Sequence, residues 1–330
     1  MNSKSISAVL EPSLNLLVAD KWVEAEDVVA FRLVSERGEV LPGFRAGAHI
    51  DVQVGIDRVR QYSLCNPSLS PTHYEIAVLK DPASRGGSKF MHEELVPGAH
   101  VVVSTPKNHF PLEKGAPAIL FAGGIGITPI LAMAQELDEQ GGDFEIHYCA
   151  RSLERAAFLS RLSESGYANK VHMHFDDGVP SQKLNVVNVL SMATVEHHLY
   201  VCGPGGFIDH ILESAKQAGW EDQRQHREFF SAPATTNSDI AASDFELVLS
   251  RSGRCLNVPA QKTVLQVLHE AGVDIPASCE AGVCGTCVTR VIDGIPDHRD
   301  VYLTDSEHAA NNCFTPCCSR SQSSRLVVDL

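Results

Sequence analysis

From about Leu16 to Pro111 the chain alternates short apolar, β-branched runs with turn residues, as at residues 28–34, 48–54 and 74–79. Evenly spaced runs of this kind predict an antiparallel β-barrel. At Ala118 the pattern changes. A continuous apolar run over 118–122 leads through glycines into a segment of helical period at 130–137, and a second run follows at 144–148. Strand, turn, helix and strand make a βαβ unit, which requires a parallel sheet. Residues 199–202 give a further strand of the same sheet. Residues 231–243 are small and polar and read as an exposed linker. Beyond them the pattern predicts a strand at 245–249, an amphipathic helix near 264–271 and a strand at 288–292. The expectation is therefore a multidomain chain. Residues 1–113 form an antiparallel β-barrel domain, 114–231 an α/β parallel-sheet domain, 232–243 a linker and 244–330 a smaller α+β domain.

Length and composition agree with that division. A chain of 330 residues with 44% hydrophobic and 21% charged residues is ordinary for globular domains, each with its own core. The formal charge of -14 argues against nucleic acid, because counterion release from phosphates needs clustered Lys and Arg. Acidity suits a partner with a basic docking patch, and it equally serves solubility alone. The first eleven residues lack the apolar core of a signal peptide, and no later run approaches eighteen apolar residues. The expectation is a cytoplasmic protein with no membrane span. Ten dispersed cysteines fit a reducing compartment better than a disulfide scaffold.

Three of those cysteines carry the strongest chemical signal. Cys279, Cys284 and Cys287 read C-x4-C-x2-C, which is the plant-type 2Fe-2S ligand spacing and needs one distant fourth cysteine. Gly282 and Gly285 within the loop would let backbone N–H groups approach the sulfides. A structural zinc site or buried free thiols are the alternatives, but zinc sites usually use two separated cysteine pairs or Cys/His mixtures. Cys313, Cys317 and Cys318 are the candidates for the fourth ligand. If that tail is a strand, Cys317 and Cys318 face opposite ways and cannot both point at a cluster.

Two further groups suggest redox cofactors. Arg60, Tyr62 and Ser63 form R-x-Y-S: a cation for a phosphate, an aromatic face for an isoalloxazine ring and a hydroxyl for its N5 region. An alternating strand would produce the same four letters. Arg85, Gly86, Gly87 and Ser88 precede a helical pattern and suit a flavin phosphate at a helix N-terminus. Val78 and Lys80, between these motifs, are counted with the flavin candidates. Gly123, Gly124, Gly126, Thr128 and Pro129 lie between a strand and a helix, where glycines admit a pyrophosphate, although the pattern is not G-x-G-x-x-G and an ordinary βα turn is the alternative. Cys202, Gly203 and Pro204 close a later strand at the same predicted sheet edge. Cys202 there could border a nicotinamide or simply pack.

In this order the motifs resemble the phthalate dioxygenase reductase family, which includes vanillate demethylase reductase components, over nearly the whole chain. The resemblance implies a flavin barrel that binds FMN through Arg60, Tyr62 and Ser63. It implies an NADH domain using Gly123 to Pro129 and Cys202 to Pro204, and a C-terminal β-grasp-type ferredoxin domain. The segment Cys317-Cys318-Ser319-Arg320 resembles the C-x-S-R end of fused ferredoxin domains, which places iron on Cys317 and leaves Cys318 to pack. Phe230, in Glu228-Phe229-Phe230, matches the aromatic that covers the flavin face, with Phe229 as its neighbour. Arg151 departs from expectation, since an arginine there could pair with a 2'-phosphate and favour NADPH. Asp176 and Asp177 would repel that phosphate, and NADH is expected. The implied activity passes electrons from NADH through FMN and a 2Fe-2S cluster, one at a time, to a terminal oxygenase of the Rieske non-haem iron type. Ser63 and Cys202 would act at the hydride-transfer site. A self-contained reductase of a ferric chelate or quinone, or a redox sensor or carrier without hydride chemistry, would use parts of the same motifs. Fifteen histidines are scattered without ligand spacing.

Overall fold

The computed structural model describes residues 13–55, 58–67, 69–82, 84, 86–230 and 243–330. Arg85 and most of the expected linker, residues 232–242, lie outside the described residues. The chain divides into two compact units, Met1–Glu228 and Phe229–Leu330.

The first unit begins with strands β1 (Ser13–Ala25), β2 (Val28–Val34), β3 (Ala48–Gln53), β4 (Val59–Ser63) and β5 (His73–Leu79). Helix α1 (Gly87–Glu93) and strands β6 (His100–Ser104) and β7 (Lys107–Asn108) follow. The sheet runs β4-β3-β6-β1-β2-β5, with β7 added to β3, and its pairs are antiparallel. An isolated antiparallel bridge between Leu64 and Ile76 and the bond from Cys65 N–H to the Glu75 carbonyl bring the two ends together into a barrel. Alternation places Phe31, Leu33, Ile50, Val52 and Ile76 in its core, and Met91 of α1 plugs the same cluster.

The second half of this unit contains β8 (Ala118–Gly123), α2 (Ile127–Glu139), β9 (Phe144–Ala150), α3 (Leu159–Ser163) and β10 (Val171–Phe175). It continues with α4 (Val186–Met192), β11 (His198–Gly203), α5 (Gly205–Gln217) and β12 (Gln225–Phe229). Strand order is β10-β9-β8-β11-β12, and β8 pairs in parallel with both β9 and β11. All six residues of β8 are buried, as a central parallel strand requires. Helix α2 starts three residues before the apolar periodicity suggests. A 3-10 turn over Gly124–Gly126 feeds directly into it, and Pro129 sits in the first turn, where no backbone donor is needed.

Barrel and parallel sheet share one apolar core, in which Ala30, Ala46, Cys65, Ala77 and Phe110 of the barrel join Leu120, Ile130, Leu131 and Tyr148. Arg161 of α3 pairs with Glu75 of β5 at 2.7 Å and donates to the carbonyl of Cys65 at 2.9 Å. The Ala46 N–H donates to Glu136 of α2 at 2.7 Å, and the Phe158 N–H donates to Glu24 of β1 at 2.8 Å. These bonds satisfy groups that the shared core takes out of water.

The second unit holds β13 (Phe245–Leu249), β14 (Arg254–Val258), α6 (Val264–Glu270), β15 (Thr289–Asp293) and β16 (Pro296–Asp297). Then come α7 (Asp305–Ala310), β17 (Cys313–Phe314), β18 (Arg320–Ser321) and β19 (Arg325–Val328). The main sheet runs β14-β13-β19-β15-β17, with β13 parallel to β19, and β16 pairs with β18. A Thr263–Gln266 capping box starts α6, whose Val264, Val267 and Leu268 pack on Phe245, Leu247 and Phe314. The conditional strand at Cys317–Cys318 is not formed. Pro316 opens a turn instead, and the N–H groups of Cys318 and Ser319 both donate to the Thr315 carbonyl. No helix among the described residues is long and apolar enough to cross a membrane.

Candidate functional site: a hydride face and a four-cysteine loop

At the carboxyl edge of the parallel sheet, the ends of β8, β9, β10 and β11 carry Gly124, Arg151, Asp176 and Gly203 to one side. Open parallel sheets bind ligands at this edge. The glycines there do different jobs. A Cβ on Gly126 would overlap the Cys202 carbonyl oxygen, and one on Gly203 would lie 2.9 Å from the Gly123 Cα. Those three glycines let the β8–α2 and β11–α5 turns pack on each other. Gly124 has φ +54°, and a Cβ placed there would meet nothing within 4 Å, so it keeps open backbone for a ligand. Thr128 is buried, and its Oγ1 donates to the Ile125 carbonyl at 3.0 Å; Pro129 is buried beside it. Arg151, Asp176 and Asp177 lie at the surface, and the Asp177 N–H donates to the Arg151 carbonyl at 3.2 Å. Pro204 precedes α5, where Gly205 and Gly206 are likewise unobstructed.

One residue to which the motifs assign no role joins the two halves of this unit. Glu228 of β12 accepts a hydrogen bond from Ser63 Oγ of β4 at 3.3 Å. Burial raises its carboxyl from the ordinary 4.5 to about 8, with the Ser63 bond opposing. The group is therefore largely protonated at neutral pH. Cys202 of β11 is completely buried, and burial, then the nearby Glu228, push its thiol well above the usual range. Ser63, Cys202 and Glu228 thus form a neutral, dry corner where barrel and parallel sheet meet. The sequence presents Glu228 only beside two phenylalanines and gives it no role, so the tertiary contact alone reveals it.

Arg60 and the glycine turn, twenty-six residues apart in the chain, come together in space. A Cβ on Gly87 would lie 2.9 Å from Arg60 Cγ, and one on Gly86, at φ +99°, 2.5 Å from an Arg58 guanidinium nitrogen. Two arginines and a glycine turn thereby occupy one place on the barrel. Burial raises the Tyr62 hydroxyl above its usual range, against the pull of Arg60, so Tyr62 presents a neutral ring. The remaining candidates are engaged with protein. Ser88 Oγ accepts from the Asp81 N–H at 3.2 Å, Lys80 pairs with Glu93 at 3.1 Å, and the Val78 carbonyl faces His92 Nε2 at 2.8 Å. Phe229 ends β12 buried, whereas Phe230 is 43% exposed.

In the second unit Cys279, Cys284, Cys287 and Cys317 converge. Hydrogen bonds from Cys284 and Cys317, then the N–H groups of Ala281 and Val283, pull the Cys279 thiol far below its usual range. The same contacts push Cys284 and Cys317 up, with Cys279 as the first cause for both. Four cysteine sulfurs brought within hydrogen-bond reach of one another are a donor set that fits iron. Gly282 and Gly285 have φ +74° and +70° and are pressed from behind. A Cβ would lie 2.5 Å from Cys318 Sγ at the first and would overlap the Tyr302 ring at the second. Cys318 packs against that loop and lies 3.3 Å from Thr315 Oγ1. Cys313 is on β17, in register with Arg290.

The loop is held by a buried carboxylate. Asp300 accepts from the Leu303 N–H at 2.8 Å and from Thr315 and Ser319 hydroxyls at 3.2 Å each. The next residue, Val301, donates its N–H to the Gly282 carbonyl at 3.1 Å. Arg320 donates to the carbonyls of Lys262, Pro259 and Ser243. Ser319 and Arg320, read from sequence only as letters of a resemblance, are thus the buried fasteners of the loop.

Residues 247–322 match the 2Fe-2S iron-sulfur cluster binding domain family. Over 318 residues the chain is 51% identical to the vanillate O-demethylase oxidoreductase of Pseudomonas sp. (strain HR199 / DSM 7063), covering 96% of this chain and 100% of that one. An intact type IV self-sufficient cytochrome P450 monooxygenase superposes with TM-score 0.84 at 38% identity, over 96% of this chain but only 41% of that longer one. Phthalate dioxygenase reductase, described as a modular structure for electron transfer from pyridine nucleotides to 2Fe-2S, superposes with TM-score 0.71 at 38% identity over 97% and 98% of the two chains. With its flavin barrel, parallel nucleotide sheet and four-cysteine loop in this order, the chain belongs to the phthalate dioxygenase reductase family.

Proposed function

We propose that this chain is the reductase component of an oxygenase system, drawing electrons from NADH and delivering them to a terminal oxygenase of the Rieske non-haem iron type. The carrying observation is the pairing of a buried Ser63–Glu228–Cys202 corner in one unit with four converging cysteines in the other. When bound, FMN would supply acceptance of an electron pair as hydride and a 2Fe-2S cluster single-electron transfer, which together would convert a two-electron donor into a one-electron source. On the barrel, Arg60 and the Gly86–Gly87 turn supply charge and backbone donors for the flavin phosphate, and Tyr62 offers its ring face. Val78, Lys80 and Ser88 border that site, and Phe230 is the aromatic assigned to the flavin face. Gly123, Gly124, Gly126, Thr128 and Pro129 shape the pyrophosphate turn, with Gly203 and Pro204 opposite. Asp176 opposes a 2'-phosphate near Arg151, which favours NADH.

The protein's part in hydride transfer is positioning and electrostatics. Cys202 keeps the nicotinamide position dry and uncharged. Ser63 Oγ and the protonated Glu228 form a short path along which a proton can move to or from the flavin side. Cys279, Cys284, Cys287 and Cys317 hold the cluster. Cys284→Ser tests the order of events by stopped-flow spectroscopy. NADH should still bleach the flavin at the native rate, while reduction of the oxygenase is abolished. Normal oxygenase reduction in that variant overturns the reading.

A further inference from the structure

Strands β9 and β10 run in parallel with His147 opposite His172. Because side chains alternate, Glu145 and His147 share one face of β9, and His172 and His174 share one face of β10. The imidazole of His147 lies stacked near Phe121, His172 and His174, with centroids 5.4, 4.9 and 5.4 Å away. Its plane is therefore fixed.

A chain of hydrogen bonds also fixes its proton. His174 Nδ1 lies 3.0 Å from the Gln182 carbonyl, which can only accept, so the proton is on Nδ1. His174 Nε2 then offers a lone pair, and His147 Nδ1, 3.1 Å away, donates to it. With its N–H on Nδ1, His147 offers Nε2 as the ligand atom. That atom is buried, has no hydrogen-bond partner among the described residues and lies 3.4 Å from Glu145 Oε1. His172 Nε2 lies 3.8 Å from Glu145 Oε2. The three ligand atoms fall within 4.8 Å of one another.

Acceptors that face each other with no donor between them need a cation. Their spacing has a definite size, since metal bonds of about 2.0–2.1 Å at tetrahedral angles separate ligand atoms by about 3.3–3.4 Å. The Glu145 carboxylate is 37% exposed and the His172 side chain 48%, so a fourth position would open to water. Histidine ligands whose second nitrogen is anchored by a hydrogen bond are the usual arrangement in zinc sites, and here the His174–Gln182 pair anchors His147.

We propose that Glu145, His147 and His172 form a binding site for a divalent transition metal of the zinc class, clamping the edge strand β10 to β9 and separate from the electron path.

The experiment uses the full chain with flavin and cluster in place, titrated with Zn2+ by calorimetry, with Cys255→Ser as the common background because that thiol is exposed. One Zn2+ per chain is expected, with binding at least about tenfold weaker in His172→Gln. His174→Gln, a positioning change, should also weaken binding while NADH oxidation stays native. Since His172 is at the surface, its variant should fold, and unchanged flavin and cluster spectra would verify this. Thermal unfolding should rise with Zn2+ in the native chain and stay unmoved in His172→Gln. Equal Zn2+ binding in both, or none in either, overturns the proposal and leaves His147 holding a proton against Glu145.

Discussion

Glu228 is the residue whose chemistry most depends on its surroundings. Its carboxyl titrates at about 8 in the folded protein against an ordinary 4.5, with burial as the cause. Between those values the folded chain holds a proton that the unfolded chain has lost. The contribution to stability is fully present below pH 4.5 and is lost as pH rises through 8. Stability measured by denaturant should therefore fall across that window, and Glu228→Gln should remove this part of the fall. In stopped-flow measurements the same variant should lose the inflexion near pH 8 in flavin reduction by NADH and slow that step by about a hundredfold, the scale of a lost proton-transfer group. A native pH profile in Glu228→Gln would remove Glu228 from the reaction. Sequence reading singled out Ser63 and Cys202 because both sit in recognisable motifs. It quoted Glu228 only as a neighbour of Phe229 and Phe230, because a buried acid on a strand looks like any other acid until the strand is placed.

Among the secondary-structure elements, the βα turns show how a glycine motif can mislead about its reason. Gly123 and Gly126 read as space for a pyrophosphate, yet a Cβ at either position would first strike β11 or α5. The motif is readable because close packing of two turns also excludes side chains. Gly126→Ala should cost about 1–3 kcal/mol, the range for overpacking a dense site, and weaken NADH binding by displacing the Cys202 turn. Chemical denaturation and the Michaelis constant check it, and a native value for both would contradict the packing. Gly282 and Gly285 repeat the lesson in the cysteine loop, where Cys318 and Tyr302 occupy the space behind them. Each strand and helix that periodicity predicted lies within a few residues of an observed one, although many short strands carried no such signal. At Cys317–Cys318, where a strand was only a condition, Pro316 and the Thr315 carbonyl impose a turn that no alternation rule contains.

In the assembled molecule, the barrel and the parallel sheet are separable by pattern but share a core. Arg161 is the clearest link, since its guanidinium meets Glu75, the Cys65 carbonyl and Gln135 together. The Glu75 side chain is 11% exposed and that of Arg161 32%, so the pair lies between surface and buried cases. Arg161→Ala should cost about 2 kcal/mol and slow flavin reduction by loosening the register between Ser63 and Glu228. Thermal unfolding with stopped-flow would test both, and an unchanged rate would show that the shared apolar core alone sets that register. The histidine cluster of β9 and β10 is a second product of assembly. It joins Glu145 and His147 of β9 to His172 of β10, so no local spacing announces the whole group.

The order of three chemistries, and the residues expected to touch them, could be read from the chain before it was folded: thiols at plant-type spacing, an R-x-Y-S strand and a glycine turn after a buried strand. These are legible because ligand geometry and backbone conformation restrict residue type at short range. Folding settled the rest: which groups are neutral, which glycines serve packing, and that Glu228 meets Ser63. Those properties depend on desolvation and on contacts between residues far apart in the chain, where no local pattern is left to read.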